Sequence, residues 1–484
     1  MSDVKPVPNE VDQRGGESLL RGLKLPGVLM QSIGTMAPAA SVVFTVQFLA
    51  SFAGVNVPGA MLVAMVIMLA LAFILSQIAR ILPSAGGYYT FVRAAFGPKA
   101  GMAVGAAVLV YAFAPSMNSG YLATVLQQQI QSNFNFNIPW QVFFVFAILL
   151  TGYLAYRGIA VSGKALLVLG IFEVSVLVVL GIWGLASPGT GGTSLSDLNP
   201  FGAGSGLYLS VVFAIFFFAG WEGAAPIAEE SHEPERTIPR ALMGSVIGLG
   251  IVFVIVTWGL ISGWGANGIK GFAGSSDLAA IVVARHYWGG GWVLVLLALF
   301  NSVLAISLAS ILMVTRMMFA MSRVGVFPSF MGKLHPKYKT PANATIVSVV
   351  FSLVVGLVSW VTVGPQEAYY IYGLMFTLLI IIVYIAGNVA VTRYYHKHLP
   401  EKYRIVSHAV VPVIASLILI YVGYKSVWPL PAYPVAWGVW FALIWVAALG
   451  VLMFTLSQRK EDEVGEIFLS QDLSPESEKE SGVS

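Results

Sequence analysis

Phe217-Phe218-Ala219-Gly220-Trp221-Glu222-Gly223-Ala224-Ala225-Pro226 lies inside an apolar run, about 207–229, that is long enough to span a bilayer but cannot be one unbroken helix. Proline has no backbone N–H and clashes with the turn before it, and glycine adds freedom that a helix must remove. An ionisable group, Glu222, stands between the two glycines. Broken backbone at that depth has no water to satisfy it, so it is tolerated only where it lines a cavity in protein. Taken alone, the run reads either as a proline-kinked helix that only adjusts packing or as a discontinuous membrane helix whose gap faces inward.

The rest of the chain agrees with a membrane setting. Of 484 residues, 57% are hydrophobic and 10% charged, whereas soluble domains carry roughly 25% charged residues. The apolar runs lack strict alternation, which excludes a β-barrel reading. Twelve spans are predicted, at about 28–54, 58–80, 101–129, 138–156, 163–186, 207–229, 241–264, 291–320, 342–363, 368–391, 407–427 and 434–457. With the N-terminus placed inside, 23 of the 26 Lys and Arg fall in inner segments, and only Lys270, Arg285 and Lys425 fall outside. That bias predicts cytoplasmic N- and C-termini in a multi-pass protein of the cell membrane. The inner charges read first as topology signals and only second as lipid-binding sites. Residues 1–27 and 458–484 are polar and expected to be disordered. No cleavable signal peptide is expected, so the first span serves as its own targeting signal. Cysteine is absent, which rules out disulfides and thiolate metal sites.

A second interruption occurs in the first span, at Gly34-Thr35-Met36-Ala37-Pro38-Ala39-Ala40-Ser41. The breaks thus fall in spans one and six, the first helices of two five-helix units. Interrupted helices at corresponding positions of two halves point to a carrier's binding site. The N–H groups at the start of a half-helix suit a carboxylate.

Four motifs carry a family resemblance. Phe217–Glu222 is followed by Ile227-Ala228-Glu229-Glu230-Ser231-His232-Glu233-Pro234-Glu235-Arg236-Thr237-Ile238-Pro239-Arg240-Ala241. Pro83-Ser84-Ala85-Gly86-Gly87-Tyr88-Tyr89 follows span two. Thr315-Arg316 through Ser322-Arg323-Val324-Gly325-Val326-Phe327-Pro328 ends span eight, and His335-Pro336-Lys337-Tyr338-Lys339-Thr340-Pro341 precedes span nine. Together, over about residues 27–455, they resemble the amino acid–polyamine–organocation transporter superfamily. The resemblance implies an all-α, twelve-helix fold with a LeuT-like five-plus-five inverted repeat. The ten-helix core would be 28–391, and 392–457 would add two helices. It also implies alternating access, with substrate held between helices one, three, six, eight and ten. Two positions depart from the family pattern. Pro38-Ala39-Ala40 stands where a Gly-Ser-Gly-like run is usual, and Val324 replaces the acid of an Arg-Asp-Gly ending.

The candidate substrate-binding residues are Gly34, Thr35, Met36, Ala37, Ala39, Ala40 and Ser41 at the first break, with Phe216, Phe218, Ala219, Gly220 and Trp221 at the second. Asn118, Ser307 and Tyr372 join them by depth and polarity, with Ser119, Asn301, Ser302 and Ser310 beside them. Such polar groups also serve simply to bond neighbouring helices. Glu173 and Glu222 are the two acids deep in the spans and are candidates for proton coupling or gating. By the resemblance, Glu173 falls where some proton-coupled relatives carry a lysine. Glu222 falls where the family often has an acid linked to pH response. Either could instead be a structural hydrogen-bonding group.

These residues lead to a secondary carrier of amino acids or related amines, with proton symport or exchange expected. A polyamine or cationic-amine permease, or a transport-like sensor, is the alternative. No P-loop is present, and neither a filter repeat nor a nucleophile–base cluster suggests a channel or an enzyme. The expected partners are a small molecule, protons and the lipid bilayer. No cofactor, metal or nucleic acid is expected, and the oligomeric state is left open.

Overall fold

A computed structural model describes residues 23–83, 86–158, 163–323, 327–338 and 340–457. The expected disordered tails fall almost wholly outside these residues, as do Ser84, Ala85, Val324, Gly325, Val326 and Lys339 of the motifs. The side chains of Pro226, Glu229 and Glu230 are also outside the description.

Among the described residues every regular element is helical. The α-helices are α1 (Leu25–Met36), α2 (Pro38–Ala53), α3 (Val57–Ala79), α4 (Tyr88–Phe96), α5 (Pro98–Val108), α6 (Ala114–Phe134), α7 (Trp140–Arg157), α8 (Gly163–Ala186) and α9 (Gly206–Phe217). They continue as α10 (Pro234–Trp264), α11 (Ile269–Ala273), α12 (Ala279–Trp288), α13 (Val293–Arg323), α14 (Ala342–Thr362), α15 (Pro365–His398), α16 (Val411–Val427) and α17 (Trp437–Ser457). Ten stretches among the described residues are long and apolar enough to cross a membrane. The first, Leu25–Ala79, is 55 residues long, about twice what one crossing needs. Trp437–Leu452 is a shorter apolar helix beyond these. The chain is a polytopic all-helical membrane protein.

Proline and left-handed caps set the boundaries. Pro38, Pro58, Pro98 and Pro115 sit in the first turns of α2, α3, α5 and α6, where a missing N–H costs nothing. The span predicted at 101–129 is in fact α5, a 3-10 segment Leu109–Phe113 and α6. The seventh span starts earlier than predicted, because Glu233 takes a left-handed cap and Pro234 opens α10.

Burial orders the helices from centre to rim. In Gly206–Ala225, 89% of the apolar window is buried, against 28% in Val406–Val427. The interrupted helix thus lies at the centre and α16 at the lipid-facing edge. Around that centre, α2 packs on α9, and α1 packs on the 3-10 helix Trp221–Glu230. The two broken helices therefore run side by side, gap against gap.

Candidate functional site

The first gap falls at Ala37, which holds φ 48°, ψ 64° between α1 and α2. That left-handed conformation costs a residue with a Cβ about 1–2 kcal/mol, so the surroundings must hold it there. They do so by taking over the donors and acceptors that the gap frees. Gly34 O receives Ala37 N–H at 3.2 Å, and Met36 O receives Ser41 Oγ at 2.9 Å. Pro38 has no N–H to offer. Ala39 N–H donates to Glu173 Oε1 at 2.7 Å, and Ala40 N–H donates to Ser302 Oγ at 3.0 Å.

Glu173 is therefore tied to the first gap. Its Oε2 accepts Asn301 Nδ2 at 2.8 Å, and Ser302, its own oxygen engaged by Ala40, also hydrogen-bonds the carboxylate. The side chain comes from α8, the two partners from α13, and all meet the first turn of α2. When ionised, this group accepting three donors is a strong knot, because hydrogen bonds to charged groups contribute about 1.5–3 kcal/mol each.

The second gap lies between α9 and the 3-10 helix. Gly220 turns the chain at φ 96°, and a Cβ there would stand 2.6 Å from Thr35 O. The adjoining N–H groups are spent in tight turns, Phe218 N on Ile215 O, Ala219 N on Phe216 O and Trp221 N on Phe218 O. Glu222 accepts Tyr111 OH at 2.9 Å and Tyr384 OH at 3.3 Å, and Tyr384 OH accepts Trp221 Nε1 at 2.9 Å. The acid is buried, with its oxygens facing α15 and the segment before α6.

Between the gaps lies a cavity of about 30 Å³, which is room for roughly one water molecule. Seven of the sequence candidates line it: Thr35, Met36, Ala37, Ser41, Asn118, Phe216 and Ala219. Tyr111, Ala114, Met117, Ile306, Tyr369 and Phe376 complete the wall. The sequence reading did not single these six out. The only available signal for the two tyrosines was a polar-tipped ring at mid-span.

The other candidates lie elsewhere. Ala39 and Ala40 turn toward Glu173 and Ser302. Phe218, with Phe217, packs edge-on against Phe253, so the aromatic run splits and only Phe216 reaches the cavity. Gly34 lies a turn back in α1, and Gly220 backs onto Thr35. Trp221 is buried on Tyr384. Ser307 pairs with Ser119 at 3.4 Å, and Tyr372 pairs with Ser359. Asn301, expected near the cavity, serves Glu173 instead. Among the described residues no three His, Asp or Glu side chains converge as a metal site requires.

The family model described as "Amino acid permease" matches residues 23–454, so the chain belongs to that family. It is a family of transporters, not of enzymes. The chain is 27% identical over 354 residues to the low-affinity putrescine importer PlaP of Escherichia coli, covering 70% of this chain and 75% of the relative. It is 25% identical over 421 residues to the branched-chain amino acid permease BcaP of Bacillus subtilis, covering 81% and 83%. A methylthioribose transporter of Bacillus subtilis is 23% identical over 476 residues, covering 94% and 97%.

Proposed function

We propose that this amino acid permease is a proton-coupled secondary transporter, moving an amino acid or related amine by alternating access through the cavity between its two helix breaks. The observation that carries the reading is the bond from Ala39 N–H to Glu173 Oε1, which links a buried acid to the gap beside that cavity. In its ionised form Glu173 pins the first turn of α2 to α8 and α13. A proton on it would replace an acceptor with a donor and weaken that attachment. The proton and the hinge would then be one device.

The architecture we assign is twelve crossings with both ends in the cytoplasm. The 55-residue stretch Leu25–Ala79 divides near Gly54 into two crossings, and Trp437–Ser457 supplies the last. Spans one to five and six to ten form the inverted repeat, each opened by a broken helix, and 392–457 is an addition. The names of the relatives range over putrescine, branched-chain amino acids and methylthioribose, so family membership leaves the cargo open.

Counterflow of labelled solute in proteoliposomes tests the carrier class, since a carrier gives saturable exchange whereas a channel gives uncoupled flux. The coupling reading predicts that Glu173→Gln abolishes uptake driven by a pH gradient while solute binding persists. Undiminished pH-driven uptake in that variant would remove Glu173 from the proton path.

A further inference from the structure

We infer that the solute carried by this chain is an amine that presents an ammonium and no carboxylate to the cavity, because the protein's own Glu173 occupies the anion-binding start of α2. The inference rests on the transport reading of the same cavity and narrows its substrate class.

The start of a helix attracts an anion through its unpaired N–H groups. At α2 those groups are already used. Pro38 has none, Ala39 N–H ends on the Glu173 carboxylate, Ala40 N–H ends on Ser302, and Ser41 N–H closes on Ala37 O. A ligand carboxylate would have to displace an internal carboxylate that two further donors hold in place.

The cavity wall repeats the preference. None of its residues is Lys, Arg or His. Its side-chain donors are turned into the protein: Thr35 Oγ1 to Gln31 O at 2.6 Å, Ser41 Oγ to Met36 O at 2.9 Å, Asn118 Nδ2 to Ala114 O at 2.9 Å and Tyr111 OH to Glu222. Asn118 keeps its second amide hydrogen, and the Tyr369–Thr45 hydroxyl pair can run in either direction. The wall thus keeps few free donors, and most of its exposed surface is apolar.

The first gap also leaves the carbonyl of Thr35 without its usual helical donor. In a continuous helix it would receive the N–H of residue 39 or 38. Ala39 N–H is on Glu173, and residue 38 is proline. The C-terminal ends of α1 and α9 both reach the cavity, through Thr35 to Ala37 and through Phe216, and helix C-termini carry partial negative charge. Tyr111, Phe216, Tyr369 and Phe376 surround the space with ring faces and edges, Tyr111 meeting Phe376 at 4.7 Å between centroids and Phe216 meeting Tyr369 at 5.9 Å. Aromatic faces and carbonyls together suit an ammonium. Glu222 adds a carboxyl one hydroxyl behind the wall.

The test uses matched pairs that differ only by the carboxylate: phenethylamine and phenylalanine, isoamylamine and leucine, putrescine and ornithine. Binding to the purified full-length protein is read by thermal shift and by counterflow in proteoliposomes. In at least one pair the amine is expected to bind about tenfold or more tightly than its amino acid, a difference of about 1.4 kcal/mol. An amino acid that binds as well as or better than its amine in every responsive pair overturns the inference, and so does a panel in which no amine binds. Glu173→Ala frees Ala39 N–H and is expected to shrink the preference to about threefold or less, roughly half of that free-energy difference. Ser302→Ala frees Ala40 N–H and is expected to act in the same direction, which keeps the test open if Glu173→Ala does not fold. An unchanged preference in a folded variant overturns the role given to the cap. Amine binding without counterflow refutes the transport reading and leaves the binding preference standing. Counterflow that favours the amino acids does the reverse.

Discussion

Gly220 carries a double constraint at the second gap. Its φ of 96° lies in the region that a Cβ disfavours, and the Cβ itself would meet Thr35 O at 2.6 Å and Thr35 Cγ2 at 2.7 Å. Strain of this type costs about 1–3 kcal/mol, and the clash pushes α1 away from the second gap. Gly220→Ala is therefore expected to lower the unfolding temperature and to cut counterflow at least about tenfold, the effect of about 1.4 kcal/mol on the working geometry. Counterflow at the parental rate would show that the two gaps need not touch. At this scale the sequence is partly readable. The cost of placing an acid in a lipid setting makes Glu173 and Glu222 visible by depth alone. Their partners are not visible, because the choice of Ala39, Asn301 and Ser302 for Glu173 depends on which helix faces which. For the same reason Asn301 reads as a cavity residue when its amide is directed to Glu173.

Between elements, the crossing of α8 and α10 is held by glycines. A Cβ on Gly184 would stand 2.0 Å from Gly259 O, and one on Gly259 would stand 1.9 Å from Gly181 O. Lipid tails give helices no hydrophobic reason to associate, so close backbone approach through small residues supplies the packing instead. Gly259→Val is expected to separate the helices and destabilise the fold by about 1–3 kcal/mol or more. Gly248→Ala, in the same helix with nothing within 4 Å of its Cβ, should be neutral or stabilising by up to about 1 kcal/mol. Thermal unfolding in detergent checks both, and equal effects would show that this crossing does not depend on close approach. The helix pattern itself is legible, since apolar runs, prolines and capping glycines fix most ends to within a few residues. The crossing is not, because 50 glycines dilute the spacing of Gly181, Gly184 and Gly259 into the background. The 3-10 segment Leu109–Phe113 is likewise hidden, since no residue inside it breaks a helix.

For the molecule as a whole, alternating access requires the cavity of about 30 Å³ to open toward one side at a time. The segment α11–α12 lies on the side that the proposed topology makes exterior. Gln47 of α2 anchors it, accepting Ala279 N–H at 2.8 Å and donating to Ser275 O at 3.3 Å. Asp277 and Arg285 lie 3.7 Å apart, with Gln128 and Gln129 of α6 bonded to one each. These contacts connect a surface segment to α2 and α6, both of which reach the cavity wall through Ser41 and Asn118. Composition makes the polytopic helical character readable, but such a latch joins residues far apart in the chain and leaves no local pattern. Net hydrogen bonds contribute about 0.5–1.5 kcal/mol each, so losing the two at Gln47 should shift an open–closed balance about tenfold. Because the chain has no cysteine, Asn118→Cys creates a single thiol in the cavity wall. In that background Gln47→Ala is expected to raise the rate of labelling by a membrane-impermeant maleimide added outside intact cells by about tenfold. The same reagent added to inside-out vesicles should label more slowly than before, because one conformation gains at the other's expense. Labelling that rises from both sides would mean that the substitution loosens the helix bundle rather than releasing an outer latch, and labelling unchanged from outside would place the closing contact elsewhere.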